Sequence, residues 1–134
     1  MNEATTASIA PIASIATRDG WIAVCRHDEI VPDAGVCALV NGRHVAVFRI
    51  DADEAEVFAI DNVDPRAKAS VLSRGITGSL GARVVVASPL YKHHFDLRTG
   101  ECLEEPAWSV AAYDARVVGG DVLVRVPAQP GARA

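Results

Sequence analysis

The side chains with chemical potential gather in two polar stretches. One is Asp61-Asn62-Val63-Asp64-Pro65; the other is Ser88-Pro89-Leu90-Tyr91-Lys92-His93-His94. Asp61 and Asp64 have the makings of an acid/base pair, but a carboxylate just before a proline is far more often a turn acceptor, and that reading is preferred. Consecutive histidines suggest a metal, yet no third ligand lies nearby. In an extended chain His93 and His94 face opposite ways, so one is expected toward solvent and one toward the core. Tyr91 is read as a packed loop residue rather than a catalytic acid. Lys68, Arg74 and Lys92 sit on the same two stretches. With His93 they are the candidates for contact with an acidic patch on a partner, where charges set orientation and on-rate. Trp108, next to Pro106 but one, suits either core cover or an interface anchor. Cys25, Cys37 and Cys102 show no CxxC spacing. They are expected to be reduced, mostly buried thiols.

The elements that must position these stretches are short strands. A chain of 134 residues suits one domain with a fair core. Half its residues are hydrophobic and few are aromatic, and valine, isoleucine and alanine dominate. Trp21–Val24 reads as a first strand, followed by a polar connection over Arg26–Asp33. Val36–Val40 and His44–Ile50 flank Asn41-Gly42, the strongest short hairpin signal. A turn over Asp51–Glu54 leads to a third strand, Glu56–Ile60. Asp61–Leu80 holds Pro65, Gly75 and Gly78 and no clean period, so it is expected to lack regular structure apart from one helical turn near Val71–Gly75. Val84–Ala87 is long enough for a buried strand, which Ser88-Pro89 ends. Phe95-Asp96-Leu97 resumes an extended pattern before the turn at Arg98-Thr99-Gly100. Gly119-Gly120 turns a closing hairpin into Val122–Val126. The fold class is therefore all-β, a sandwich or partial barrel, over residues 19–127. Residues 1–18 are expected as a flexible leader, extended near Ile12–Ile15, and residues 128–134 as a flexible tail. The leader is not expected to be a secretory signal, since Glu3 and Pro11 interrupt it and no positive region opens it. A formal net charge of −4 argues against nucleic acid as a partner, and no apolar run reaches a membrane span.

The path strand, Ser-Pro, polar loop, Phe-Asp-Leu resembles the second cluster-binding loop of Rieske iron–sulfur domains. That family holds its cluster with two cysteines and two histidines. Here Ser88 and Tyr91 stand at the second loop's ligand positions, and Asn62 and Asp64 at the first loop's. The resemblance implies a Rieske-like antiparallel fold with all four ligands replaced, and so no metal or cofactor in this chain. Asp61–Pro65, Val71–Gly75, Ala87–Lys92 and Phe95–Leu103 resemble, more narrowly, the small subunits of NAD(P)H-dependent assimilatory nitrite reductases. The similarity covers roughly Trp21–Val126. It implies an accessory subunit without an active site of its own. The partner would be a large subunit carrying FAD, sirohaem and an iron–sulfur cluster, which reduces nitrite to ammonium in the cytoplasm. Two other readings are a cluster-bearing ferredoxin, disfavoured by the missing ligands, and a cluster-free binding module of another oxidoreductase. In the space vacated by the cluster, Tyr91 is expected as filler, capped by Asp64 or Asn62.

Overall fold

A computed structural model describes residues 15–16, 20–51 and 56–127. The expected leader, apart from Ile15–Ala16, and the expected tail lie outside the described residues, as does most of the Asp51–Glu54 turn. The described chain is all-β. Its strands are β1 (Ile15–Ala16), β2 (Trp21–Arg26), β3 (Ala34–Val40), β4 (Arg43–Ile50), β5 (Glu56–Asp61), β6 (Val63–Asp64), β7 (Ala69–Ser70), β8 (Ile76–Leu80), β9 (Arg83–Ala87), β10 (His94–Asp96), β11 (Ala112–Val118) and β12 (Asp121–Arg125). Seven strands form one antiparallel sheet in the order β1-β2-β12-β11-β5-β4-β3; a second sheet runs β10-β9-β8, and β6 pairs with β7.

Local sequence explains the hairpins. Asn41 and Gly42 both take positive φ, +50° and +81°, as a two-residue turn between twisted strands requires. Gly119 and Gly120 do the same at +59° and +88°. The closing hairpin β11–β12 inserts between β2 and β5, and so completes the large sheet.

Strands β4 and β5 are buried on both faces, so alternate side chains feed two cores. Val45, Val47, Val57 and Ala59 join Ile22, Val24, Val122 and Val124 in an aliphatic core. Ala46, Phe48, Phe58 and Ile60 point the other way and meet Leu72, Val86, Phe95, Leu97 and Cys102. All three phenylalanines of the chain lie in this second core, beneath the small sheet and the two polar loops. Cys102 is fully buried, Cys25 and Cys37 are half-buried, and all three thiols are free.

The Asp61–Leu80 segment corrects the sequence reading. It is not irregular: it holds β6, β7, a 3-10 turn at Leu72–Arg74, and β8. The 3-10 turn falls inside the expected helical turn. Strand β8 has no sequence signature because it has no buried face: Ile76 is 79% exposed and Gly78 faces open space. Its order comes from pairing with β9 across the Gly81 turn, from Ile76 opposite Ala87 to Leu80 opposite Arg83. Gly75 is required just before it. A Cβ there would collide with the Ala87 carbonyl oxygen and the Val86 side chain, so only glycine lets the 3-10 turn close onto β9.

Candidate functional site

The two polar stretches leave the sheets as neighbouring loops and meet at buried polar side chains. Asp64 is fully buried and is the common acceptor. The Ser88 hydroxyl donates to its Oδ2 at 2.5 Å, across a gap of 24 residues in the chain. His93 Nε2 lies 3.3 Å from its Oδ1, and because an ionised carboxylate only accepts, Nε2 is the donor. The backbone N–H groups of Arg66 and Ala67 donate to the same oxygen at 2.9 and 3.3 Å. Burial pushes the Asp64 carboxyl up, but Ser88, the two amides and His93 together outweigh it and hold the group below the ordinary carboxylate value. Hydrogen bonding thus ties the two loops directly to each other.

Asn62 organises the first loop from within. It is buried, accepts the Ser73 N–H at 2.6 Å through its side-chain oxygen, and donates to Ser70 Oγ at 2.6 Å. Its backbone carbonyl accepts the N–H groups of Val71 and Leu72, which starts the 3-10 turn. Asp61 is engaged elsewhere: it accepts the Tyr113 hydroxyl at 2.6 Å and Arg43 Nη1 at 3.5 Å. Burial and that carboxylate push the Tyr113 phenol up. Asp61 and Asp64 therefore have separate partners and do not form a dyad.

The occupant of the space between the loops is His93, not Tyr91. His93 is 4% exposed, whereas Tyr91 is 48% exposed and lies at the surface. The cause is Lys92, whose φ of +66° reverses the chain after Tyr91 and turns the next side chain inward. The His93 ring lies 5.0 Å from Phe95, 5.4 Å from Trp108 and 6.2 Å from Tyr91, centroid to centroid. Its Nδ1 is buried without a hydrogen-bond partner among the described residues. Being enclosed, His93 is removed from the outward-facing contact candidates; Lys68, Arg74 and Lys92 remain exposed. His94 is half-buried and bonds Glu104, with Nδ1 at 2.6 Å from Oε2.

Two features had no place in the sequence reading. Arg66 stacks its guanidinium over Tyr91 at 4.3 Å and over Trp108 at 4.7 Å, roofing the histidine. The loops also share one turn: Asp64-Pro65-Arg66-Ala67-Lys68 and Ser88-Pro89-Leu90-Tyr91-Lys92. Lys68 N–H bonds the Asp64 carbonyl at 2.6 Å, and Lys92 N–H bonds the Ser88 carbonyl at 2.9 Å. The repeated proline and lysine, the only two lysines in the chain, were the available signal.

The residues at the four ligand positions do not suit an iron–sulfur cluster. Asn62, Asp64 and Ser88 offer oxygen and amide groups where thiolate and imidazole are wanted. Asp64 and Ser88 are already in contact with each other, Asn62 is spent on its own loop, and Tyr91 points outward. Among the described residues no group of three His, Cys, Asp or Glu side chains stands close enough to hold a metal ion. No helix among them is long and apolar enough to cross a membrane.

Residues 20–125 match the model of the Rieske-like [2Fe-2S] domain. The chain is 48% identical over 105 residues to the nitrite reductase (NADH) small subunit of Salmonella typhimurium, covering 78% of this chain and 96% of that one. It is 38% identical over 104 residues to the nitrite reductase [NAD(P)H] large subunit of Klebsiella oxytoca, covering 78% of this chain and 11% of that much longer one. The solution structure of the nitrite reductase [NAD(P)H] small subunit from Erwinia carotovora superimposes with a TM-score of 0.70 at 48% identity, over 82% of this chain and 84% of that one. The chain belongs to the Rieske-like [2Fe-2S] domain family and, within it, to the small subunits of NAD(P)H-dependent nitrite reductase.

Proposed function

We propose that this chain is a component of nitrite reductase that binds the large subunit and supports its reduction of nitrite to ammonium at the expense of NADH or NADPH. It contributes shape rather than electrons. The observation that carries this reading is the match to 11% of the Klebsiella large subunit: there, a stretch similar to this chain is part of the large subunit's own polypeptide. A separate chain of the same family is suited to fill that place non-covalently. FAD, sirohaem and the iron–sulfur cluster belong to the large subunit, the assembly works in the cytoplasm, and its role is nitrate assimilation. The chain itself carries no cluster, a reading supported by the donor set at Asn62, Asp64, Ser88 and Tyr91 and by the direct Asp64–Ser88 bond.

Reconstitution tests it. The large subunit is prepared with and without this chain, and nitrite-dependent NAD(P)H oxidation and thermal stability are followed together. Addition of the chain is expected to raise turnover or extend the life of the large subunit, while the chain alone contains neither iron nor sulfide. Equal turnover and equal stability without it would end the proposal.

A further inference from the structure

The arginines and lysines of the described residues fall into two groups. Arg26, Arg43, Arg49, Arg83, Arg98 and Arg125 each form an ion pair with an aspartate or glutamate. Five others, Arg66, Lys68, Arg74, Lys92 and Arg116, form none among the described residues, although the chain as a whole is acidic. Arg74 ends the 3-10 turn and Arg116 lies over the Trp21 ring on β11, which leaves Arg66, Lys68 and Lys92. All three lie on the two joined turns. Lys68 and Lys92 are held at φ of +55° and +66°. A side chain larger than glycine is strained in that backbone, and such strain gathers where a site must present a group. Arg66 is exposed yet held, since its guanidinium carbon lies over the Tyr91 ring at 4.3 Å and over the Trp108 ring at 4.7 Å. A guanidinium stacked by its faces keeps its edge donors free for a carboxylate. Leu90, Tyr91 and Val63, on the same two loops, are half-exposed at 52%, 48% and 43%.

We propose that the end of the molecule where the two turns meet is the docking face for a carboxylate-bearing surface of the large subunit, with Arg66 as its central anchor and Lys68 and Lys92 flanking it. Charge complementarity selects the occupant: three uncompensated cations on an acidic protein match an acidic surface and repel a basic one. A rigid stacked arginine among apolar side chains is also the composition of an interface hot spot, and little ordering remains to be done on binding. Beneath it, the Asp64–His93 contact keeps both gripping rings in place. This inference rests on the reading of the large subunit as partner, and its test separates the two.

Full-length chain is titrated into purified nitrite reductase large subunit, and the dissociation constant is measured for wild type, Arg66→Glu, the double variant Lys68→Glu/Lys92→Glu, and Asp28→Lys. Asp28 lies on the turn beside Gly120, away from the two loops, and serves as the charge-reversal control. Both tip variants should weaken binding about tenfold or more, with melting temperatures near wild type, while Asp28→Lys binds normally. Rising salt should weaken the wild type more than either tip variant. The lysine pair stands alone as a test if Arg66→Glu disturbs the stack, because neither lysine side chain takes part in it. Tip variants that bind as tightly as wild type overturn the docking face alone. Failure of the wild type to bind the large subunit overturns the partner assignment, and this inference with it.

Discussion

The two loops share a backbone turn but play opposite parts. The Asp64–Lys68 turn supplies the acceptor, and spends half of it on its own amides at Arg66 and Ala67. The Ser88–Lys92 turn supplies a donor, the Ser88 hydroxyl, and positions the His93 ring that follows. Loop one is also braced internally by Asn62, whereas loop two is held chiefly by its neighbour and by the short bonds Ser88 makes with His93 and Lys92. The difference teaches that the join is asymmetric. One carboxylate satisfies four donors, so it cannot be replaced, while each donor is one of several.

That asymmetry can be broken experimentally. Asp64→Ala should have the largest effect, about 3–5 kcal/mol in urea unfolding, because Ser88, His93 and two amides lose their acceptor inside the protein. It also carries a pH signature. The folded Asp64 carboxyl lies below its ordinary value of 3.8, so its stabilisation is complete above that value and fades as pH falls through the lower folded one. Asp64→Asn should flatten that part of the acid limb in unfolding curves recorded between about pH 2 and 5. Asn62→Ala should follow at about 2–3 kcal/mol, with faster amide exchange at Ser73. Ser88→Ala should be milder, about 1–2 kcal/mol, since three donors remain on Asp64. A Ser88→Ala loss equal to that of Asp64→Ala would show the two loops to be equivalent after all. Smallest, and opposite in sign, is relief at the lysines: Lys68→Gly or Lys92→Gly should stabilise by about 0.5–1 kcal/mol each in the same assay.

Where the chain announces its structure, a local conformational demand is at work. Asn41-Gly42 and Gly119-Gly120 require positive φ, and each turned a hairpin; Val84–Ala87 is apolar throughout, and it is a buried strand. Strand β8 was silent because Ile76, Ser79 and Leu80 are all exposed, leaving no alternation to read. The joined loops were half legible. The positions of Asn62, Asp64 and Ser88 followed from the resemblance, but the filler between them did not. Whether Tyr91 or His93 turns inward depends on one dihedral angle, at Lys92, a residue type with no preference for that region. Arg66 was invisible for a related reason: its partners, Tyr91 and Trp108, are distant in sequence and meet it only through the folded loops.

The placement of β12 next to β2 bears on how a newly made chain matures. Arg26 and Asp121, bonded across that seam, are 95 residues apart. Ribosomes add roughly 5–20 residues per second, so the first strand waits about 5–20 s for its neighbour. Until the closing hairpin is made, β2 and β5 each show an unpaired edge, the kind other chains can add to. A product cut short before Ala112 would keep both edges open and be prone to aggregate. Completion of the large sheet therefore waits on pairings between the two ends of the domain, which close late because they span so much of the chain.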